Sequence, residues 1–540
     1  MALPDPNTSW PPKPWDEAYK VYAESETWRV GDADAIHEFY RGERPAATHR
    51  RDGELYEGGV VGWVSSKFWG RPVPPGQNRT RLHVPAPADV ASLASASVFS
   101  NPPEIRFTDK QAKNTIDRLE LVGNSDQAHS TFNTMGELKS VFGASVLVSE
   151  WDTEIADHVW LSAYGADVAL PEFRKGKLVA VTLWTEYRDG NKYYRHLERH
   201  AVGAIEHALY LGTADKIGQR VPLQDRDETE YLATLVNENS VILTGIDRLT
   251  ASYNMNLPTW AWRKKGALAN AGRSDFAQLY PLFDALDEAY SSWMRDLKLG
   301  AAKAVVPQAF LETLGRGRGA SFDIDRELFV GLNTPGNPDG DKIEQVQFEI
   351  RTAEHEATTT ELWRMIYRTA GLGTRSVDKD TGRQLTATGE LLQDDDKEAT
   401  RGKKILYDKR AIAEQLAVAL ELDGKLFAGK GGGQFAPPEV RFPDSAQVDP
   451  EKQARTIQYL SAAGAISVWQ SVKMFNPDWD DTAVGAEVAR ILDEKRLAGS
   501  SVPDPATFTG LDGEESIPAD PVRPPLPASD RTAEARQTTA

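Results

Sequence analysis

The sequence predicts an α+β fold, and three patterns lead to this prediction. Between residues 85 and 232, two segments with helical spacing of apolar residues are followed by short alternating runs that are typical of strands. From residue 274 onward, apolar residues recur at three- and four-residue steps in long segments that end at glycines. Because the strands follow one another at hairpin spacing, the order favours α+β over a regular βαβ series.

The composition is that of a large globular protein without cysteine chemistry. The chain has 540 residues, of which 40% are hydrophobic, and it contains 14 Trp. A chain of this length is sufficient for about two to four domains. The sequence contains no cysteine, which excludes disulfides, thiolate metal ligands and a cysteine nucleophile.

The charge balance disfavours tight binding to nucleic acid. The formal net charge is −18, whereas tight binding to a phosphate backbone usually depends on clustered Lys and Arg. Loose contact with DNA remains compatible with this charge. No run approaches the ~18 continuous apolar residues that a membrane helix needs, so we expect a chain that does not cross a membrane.

The first part of the chain predicts a proline-rich arm, short helices and then a strand-rich region. Residues 1–14 contain five prolines and predict an extended arm. Helices are predicted at 15–28, 32–40, 110–121 and 126–142, and strands or loops at 51–75. Strands are further predicted at 144–149, 166–170, 178–187, 193–199 and 204–210.

Two helices of matched length are predicted around an inserted segment. The first begins near Ser274 and ends at Gly300, and the second runs from Thr352 to Gly371. At about 1.5 Å per residue each spans roughly 27 Å, so we expect them side by side with the insert at one end. The insert predicts strands at 303–307, 328–332 and 343–351, a short helix at 308–314 and a basic loop at 315–319.

A polar, glycine-punctuated segment, residues 373–404, leads into a third long helix. This helix is predicted at 388–422, and Gly402 near its middle favours a bend. A heptad stripe predicts its buried face, formed by Leu392, Ala399, Leu406, Ala413 and Leu420, and in the second half only it is reinforced by Ile405, Ile412 and Leu416. Residues 429–439 then break the chain, 450–497 predict two or three amphipathic helices, and 498–540 predict a disordered, proline-rich acidic tail.

Two patterns resemble catalytic or metal motifs but lack what the chemistry needs. Gly424–Gly431 is close to a phosphate-binding loop, yet Gly431 replaces the hydroxyl that should hold Mg²⁺, and the segment follows a helix. A flexible linker is the better interpretation. His196 and His200 are four apart, but on a predicted strand they would lie about 13 Å from each other, so ordinary strand surface is favoured over a metal pair.

A series of segments in a fixed order covers most of the chain. They include LHVPAPADVASLASASVFSNPPEI (82–105), SDFAQLYPLFDALDEAYSSWMRDLKLGAAKAVVPQAFL (274–311), FDIDRELFVGLN (322–333), the segment 350–373, TGRQLTATGELL (381–392) and FNPDWDDTAVGAEVARI (475–491). These segments, in this order, resemble the portal proteins of tailed bacteriophages.

The resemblance implies a portal-like α+β fold with a set order of parts. The N-terminal arm and the start of the wing would occupy 1–81, and the α/β wing 82–273. The stem helices would be 274–299 and 352–370, with the clip at 300–351 between them. A tunnel loop (371–387), a long bent helix (388–425), a linker (426–448), a helical crown (449–497) and a disordered tail (498–540) would follow.

The resemblance also implies a function without catalysis. The chain would form a dodecameric ring at one capsid vertex, and double-stranded DNA would pass through its channel during packaging and ejection. The terminase large subunit, a head-tail adaptor, and capsid and scaffolding proteins would be its partners, and no cofactor or metal is implied. Its location would be the virion at the portal vertex, and the host cytoplasm during assembly.

The resemblance implies where DNA would be contacted. Arg375, Lys379 and Arg383 would lie on the tunnel loop and touch phosphates briefly. Arg316 and Arg318, in the clip, would contact a partner or DNA. Two other functions remain open: an enzyme that binds phosphate on nucleic acid or nucleotide, and a structural capsid protein that has no channel.

Overall fold

The computed structural model confirms the α+β class. It describes residues 3–42, 68–69, 81–300, 303–305, 312–313, 320–321, 344–346, 350–374, 377, 387–443, 450–476 and 479–499. The chain divides into two compact units, Met1–Ser445 and Ala446–Ala540. Among the described strands, every pairing between neighbours is antiparallel.

Thirteen α-helices and fifteen strands lie within the described residues. The helices are α1 Trp15–Val30, α2 Ala33–Gly42, α3 Ala86–Phe99, α4 Lys113–Gly123, α5 Asp126–Phe142, α6 Asp227–Glu230, α7 Leu232–Leu235, α8 Tyr280–Gly300, α9 Thr352–Ala370, α10 Ala387–Leu426, α11 Pro450–Ala462, α12 Val468–Phe475 and α13 Asp481–Gly499. The strands are β1 Glu104–Arg106, β2 Ala144–Glu150, β3 Trp160–Gly165, β4 Ala169–Arg174, β5 Lys177–Asp189, β6 Lys192–Ala201, β7 Ala204–Thr213, β8 Lys216–Val221, β9 Val241–Leu243, β10 Ala251–Met255, β11 Lys303–Val305, β12 Glu312–Thr313, β13 Ala320–Ser321, β14 Glu344–Val346 and β15 Glu439–Arg441.

Two sheets and a layer of helices form the core of the first unit. The three-stranded sheet has the order β10-β2-β3, and the larger sheet has the order β4-β5-β6-β7-β8, with β9 also paired to β7. Alternation along β2 places Leu147 in an apolar cluster with α5 and α10, and Val146 and Val148 in a cluster with β4 and β5. The small sheet is therefore covered on both faces.

The proline-rich arm packs on the larger sheet. Trp10 is buried, with its ring edge-on to Trp184 at a centroid distance of 5.4 Å. Ser9 forms a β-bridge with Lys216 of β8, and the Tyr210 hydroxyl donates to the Pro4 carbonyl oxygen at 2.9 Å. The arm thus shields an edge of the sheet that would otherwise expose unpaired backbone groups.

Most predicted elements of the first unit are confirmed, and the differences are local. Helix α5 has the predicted bounds, with Ser125 accepting from the Ala128 backbone N–H as its N-cap. The prediction of a strand at 166–170 is wrong in its first half, since Ala166–Val168 form a 3-10 turn. The prediction of a helix at 308–314 is wrong at Glu312–Thr313, which pair with β13.

The paired helices are present, although the first begins later than predicted. Helix α8 starts at Tyr280, because Asp275 is buried as a hydrogen-bond acceptor and Gln278 adopts a left-handed φ of 73°. Helix α9 runs from Thr352 to Ala370 as predicted, and Gly371 ends it with φ 72°. The strand predicted at 328–332 and the loop at 315–319 lie outside the described residues.

The predicted heptad stripe of the long helix is wrong as a buried face at Ala399 and Leu406, whereas Leu420 is buried as predicted. Helix α10 runs unbroken from Ala387 to Leu426, but Leu406 is 72% exposed and Ala399 is also exposed. The buried face also carries charged and polar side chains, namely Arg401, Lys404, Asp408, Gln415 and Asp423, beside the apolar Ile412, Leu416 and Leu420. Apolar periodicity cannot detect a face whose buried residues are polar.

The described residues of the second unit, 450–476 and 479–499, contain three helices, in agreement with the prediction for 450–497. They are α11, α12 and α13, and Ser467 caps α12 by accepting from the Gln470 backbone N–H. Among the described residues of this unit, the buried apolar side chains are Val472 and Val484. The predicted tail at 498–540 lies almost entirely outside the described residues.

Candidate functional site

Helices α8 and α9 lie side by side, joined at the end from which the insert departs. The Trp293 and His355 rings stack at a centroid distance of 5.8 Å and an angle of 7°. Asp296 Oδ2 accepts from Arg351 and lies 2.9 Å from His355 Nε2. The contacts with His355 and Arg351 hold the pKa of the Asp296 carboxyl below its usual value. The predicted side-by-side arrangement of the two helices is confirmed.

A buried carboxylate fixes the other end of α8 to the body of the first unit. Asp287 accepts from Trp69 Nε1 at 3.0 Å and from the Val84 backbone N–H at 2.8 Å, and it lies 2.8 Å from His83 Nδ1. Burial raises the pKa of Asp287, an effect that the hydrogen bond with His83 partly offsets. One carboxylate thus ties two distant chain segments to the helix.

The junction after α9 is tightly packed against α10. Gly371 and Gly373 have φ of 72° and 76°, and Thr374 is buried. A Cβ on Gly371 would lie 2.5 Å from Thr400 Oγ1. Since α10 begins at Ala387, its first turns extend roughly 20 Å beyond this contact.

The predicted site residues themselves lie outside the described residues. This applies to Arg375, Lys379 and Arg383 of the predicted tunnel loop, and to Arg316 and Arg318 of the predicted clip loop. The structure places the elements that precede and follow these segments. It brings Gly371, two residues before the polar loop, close to Thr400 of α10.

Buried ion pairs hold the C-terminal part of α10 in the fold. Lys139 of α5 pairs with Asp408, and Lys404 pairs with Asp275. Asp408 also accepts from Asn254 Nδ2 at 2.7 Å, so the cluster joins α5, β10 and α10. Burial lowers the pKa of Lys139, while the Asp408 carboxylate favours its charged form.

Two further contacts complete the attachment of α10. Gln415 Nε2 donates to Ser149 Oγ and to the Thr250 carbonyl oxygen, both at 2.7 Å. Asp423 accepts from Arg118 Nε at 2.7 Å and from Nη2 at 2.8 Å, a two-bond geometry that fixes orientation. Sequence reasoning missed this set, although the spacing 401, 404, 408 and 415 repeats on one helical face.

The glycine segment after α10 is packed in the fold. A Cβ on Gly431 would lie 2.4 Å from the Asn114 carbonyl oxygen, and one on Gly432 would lie 2.5 Å from Asp423 Oδ2. Lys430 pairs with Asp157, and β15 pairs with β1. The prediction of a flexible linker is therefore wrong for residues 427–441, where the glycines allow close backbone approach.

The prediction that His196 and His200 lie on an ordinary strand surface is also wrong. The hairpin between β6 and β7 turns at Gly203 as predicted, yet both histidines are buried. His196 Nε2 lies 3.2 Å from His207 Nδ1, with the rings parallel, and His200 Nδ1 lies 2.7 Å from Thr250 Oγ1. Burial, with a smaller contribution from His207, lowers the pKa of His196 to about 4.

Neither a metal centre nor a membrane segment is found in the described part of the chain. Its His, Asp and Glu side chains form no group of three or more that could hold a metal ion. None of its helices combines the length and the apolar character needed to cross a membrane.

Comparisons with known proteins find weak likeness to solved structures. No family model and no curated protein matches the chain. A chain from the "Neck of empty GTA particle computed with C6 symmetry" is 13% identical with a TM-score of 0.36, covering 75% of this chain and 95% of that chain. A chain from the "Neck of native GTA particle computed with C12 symmetry" is 12% identical with a TM-score of 0.37, covering 73% of this chain and 90% of that chain.

A third similar chain comes from the "Virion of native gene transfer agent (GTA) particle". It is 14% identical with a TM-score of 0.35, and the match covers 77% of this chain and 97% of that chain. Similarity at this level assigns the chain neither to a family nor to a function.

Proposed function

We propose that this chain is the subunit of a portal-like ring whose central channel passes double-stranded DNA during packaging and ejection. The observation that carries the proposal is the arrangement of α8, α9 and α10. Two paired helices have an insert at one end and, at the other, a polar loop that leads into a long anchored helix. The resemblance of the sequence segments to phage portal proteins points to the same function.

The surface of the helix pair supports self-association. Met294 and Leu297 of α8 and Met365 of α9 are exposed in the single chain, although all three are apolar. Exposed apolar groups on neighbouring helices commonly mark a surface that another protein covers. In a ring, neighbouring copies of the helix pair would cover them.

The charges of the polar loop suit a channel that must not retain DNA. Arg375, Lys379 and Arg383 are partly offset by Asp378 and Asp380. Each phosphate that a protein neutralises strengthens binding and makes it more dependent on salt, so few net positive charges allow brief contact only. The excess of acidic residues in the whole chain has the same effect.

The partners in this proposal follow from the resemblance. The segment 300–351 would dock the terminase large subunit and later the head-tail adaptor, and the ring would be dodecameric within a virion capsid. The protein would act without catalysis and without a cofactor.

Single-particle imaging of the purified protein tests the ring, and a deletion tests the loop. Removal of residues 375–384 keeps the buried Thr374 and should leave rings intact while DNA packaging into particles falls. A deletion of equal length in the tail, 510–519, is the matched control and should package normally. Rings without a central hole, or normal packaging by the 375–384 deletion, would overturn the proposal.

The two alternative functions give different results in simple assays. ATP turnover that Lys430→Ala abolishes would favour a phosphate-binding enzyme. Sheets or closed shells in electron micrographs, with no open rings, would favour a structural capsid protein.

A further inference from the structure

Opposite edges of the larger sheet carry opposite charge. In the order β4-β5-β6-β7-β8, the β4 edge ends in the turn Arg174-Lys175-Gly176-Lys177 that leads to β5. At the other edge, the segment 223–243 follows β8 and returns as β9, which pairs with β7. A basic turn and an acidic segment thus lie at the two opposite edges of one sheet.

The basic edge borders a groove of about 640 Å³ between the β4–β5 turn, β10 and α10. Its walls include Lys177, Arg248, Tyr253 and Arg410 together with the exposed Leu406. Arg248 and Arg410 pair with Glu421 and Glu414. We call this surface the basic groove.

The turn leaves the basic groove with an excess of positive charge. Arg174, Lys175 and Lys177 are exposed and form no salt bridge within the described part of the chain. In a chain of net charge −18, these three cations in one turn, of which Lys177 lines the groove, form a distinct surface.

The acidic edge combines negative charge with exposed apolar side chains. Between residues 223 and 243 there are five acidic residues, Asp225, Asp227, Glu228, Glu230 and Glu238, and one basic residue, Arg226, which pairs with Glu228 at 2.6 Å. Tyr231 and Leu235 are exposed, and Leu243 is 74% exposed. We call this surface, residues 225–243, the acidic segment.

We propose that the basic groove of one copy receives the acidic segment of a second copy of this chain. The two surfaces are complementary in charge, and each includes exposed apolar groups that would be covered on contact. Because the surfaces lie at opposite edges of one sheet, the contact is head-to-tail, and head-to-tail contacts close into rings when the rotation allows. This inference rests on the proposed ring and identifies the contact between its subunits.

Charge reversal at each edge gives a direct test on the full-length protein. The variant Lys175→Glu/Lys177→Glu makes both edges negative, and Asp225→Lys/Asp227→Lys/Glu230→Lys makes both positive, because it changes the net charge of residues 223–243 from −4 to +2. Each alone should raise the protein concentration needed for half-maximal assembly by at least about tenfold, measured by light scattering after gel filtration. A mixture of the two variants should assemble again, because alternating copies restore opposite charges at every contact.

A matched control and a DNA assay separate the possible outcomes. Lys110→Glu/Lys113→Glu changes exposed residues near the start of α4 and lowers the net charge by as much as Lys175→Glu/Lys177→Glu does. This control should assemble like the unaltered protein. Unchanged ring assembly by both edge variants would overturn the inference but not the proposed ring. If the Lys175/Lys177 variant assembled normally and lost binding to double-stranded DNA, the basic groove would be a DNA surface, which also overturns the inference.

The unaltered protein decides the remaining outcomes. If it formed dimers or open polymers that the edge variants disrupted, the inference would hold and the ring function would fall. If it stayed monomeric at every concentration, both would fall.

Discussion

The buried part of α10, residues 401–426, is held by charged side chains inside the protein, whereas the outer end of the α8–α9 pair is joined by charged side chains at the surface. Lys139 and Asp408 lie almost fully out of contact with solvent. Arg351, which pairs with Asp296, is 68% exposed in its side chain. The same type of interaction thus occurs in two very different environments.

Burial changes how much each ion pair contributes to the free energy of unfolding. Removal of two charges from water is costly, so a buried pair is stable only when both partners remain and their other hydrogen bonds are made. An exposed pair contributes little, because solvent competes for both groups. The buried part of α10 therefore depends on its ion pairs for stability, while the outer end of the helix pair depends on them little.

The largest loss of stability is expected from Asp408→Asn. The substitution keeps shape and an acceptor for Asn254 but leaves the Lys139 ammonium buried without its main counter-charge. We expect a loss of about 3–5 kcal/mol in the free energy of unfolding, the usual cost of one partner lost from a buried pair. Urea denaturation followed by Trp fluorescence at fixed protein concentration measures it.

The double variant Lys139→Met/Asp408→Asn is the control for this prediction. It removes both charges and should be more stable than Asp408→Asn alone, because no unpaired charge remains buried. If Asp408→Asn unfolded at the same urea concentration as the unaltered protein, the buried part of α10 would not depend on this pair.

The buried charges explain why the long helix was predicted correctly while part of its buried face, at Arg401, Lys404 and Asp408, was not. Helix formers and terminal glycines fix where helices begin and end, so α9 and α10 were close to prediction. The partners of Lys404 and Asp408 come from Asp275 and Lys139, more than a hundred residues away in the chain. No local pattern reveals a pairing of that kind.

Tertiary contacts also determine the environment of the glycines after α10 and of the histidines on β6. Gly431 and Gly432 predicted a flexible linker because glycine adopts many backbone conformations. In the structure they allow backbone segments to approach closely. His196 and His200 were predicted on a strand surface, but the folded chain buries both. In each case tertiary packing, which one sequence does not display, decided the outcome.

A smaller loss of stability is expected at the junction between α9 and α10. Gly371→Ala would place a Cβ in a left-handed conformation and 2.5 Å from Thr400 Oγ1, so we expect a loss of about 1–2 kcal/mol. Gly402→Ala is the matched control, because nothing lies within 4 Å of its Cβ, and it should stabilise α10 by up to about 1 kcal/mol. The same urea assay compares them, and equal effects of the two substitutions would contradict the described junction.

The smallest effect is expected at the outer end of the helix pair, from Arg351→Gln. Asp296 keeps its contact with His355, and the lost ion pair is solvent-exposed and screened by salt. The unfolding midpoint in urea should therefore match that of the unaltered protein at both low and high salt. A loss as large as that of Asp408→Asn would mean that the exposed pair fixes the helices as firmly as the buried one, and the contrast between the two regions would not hold.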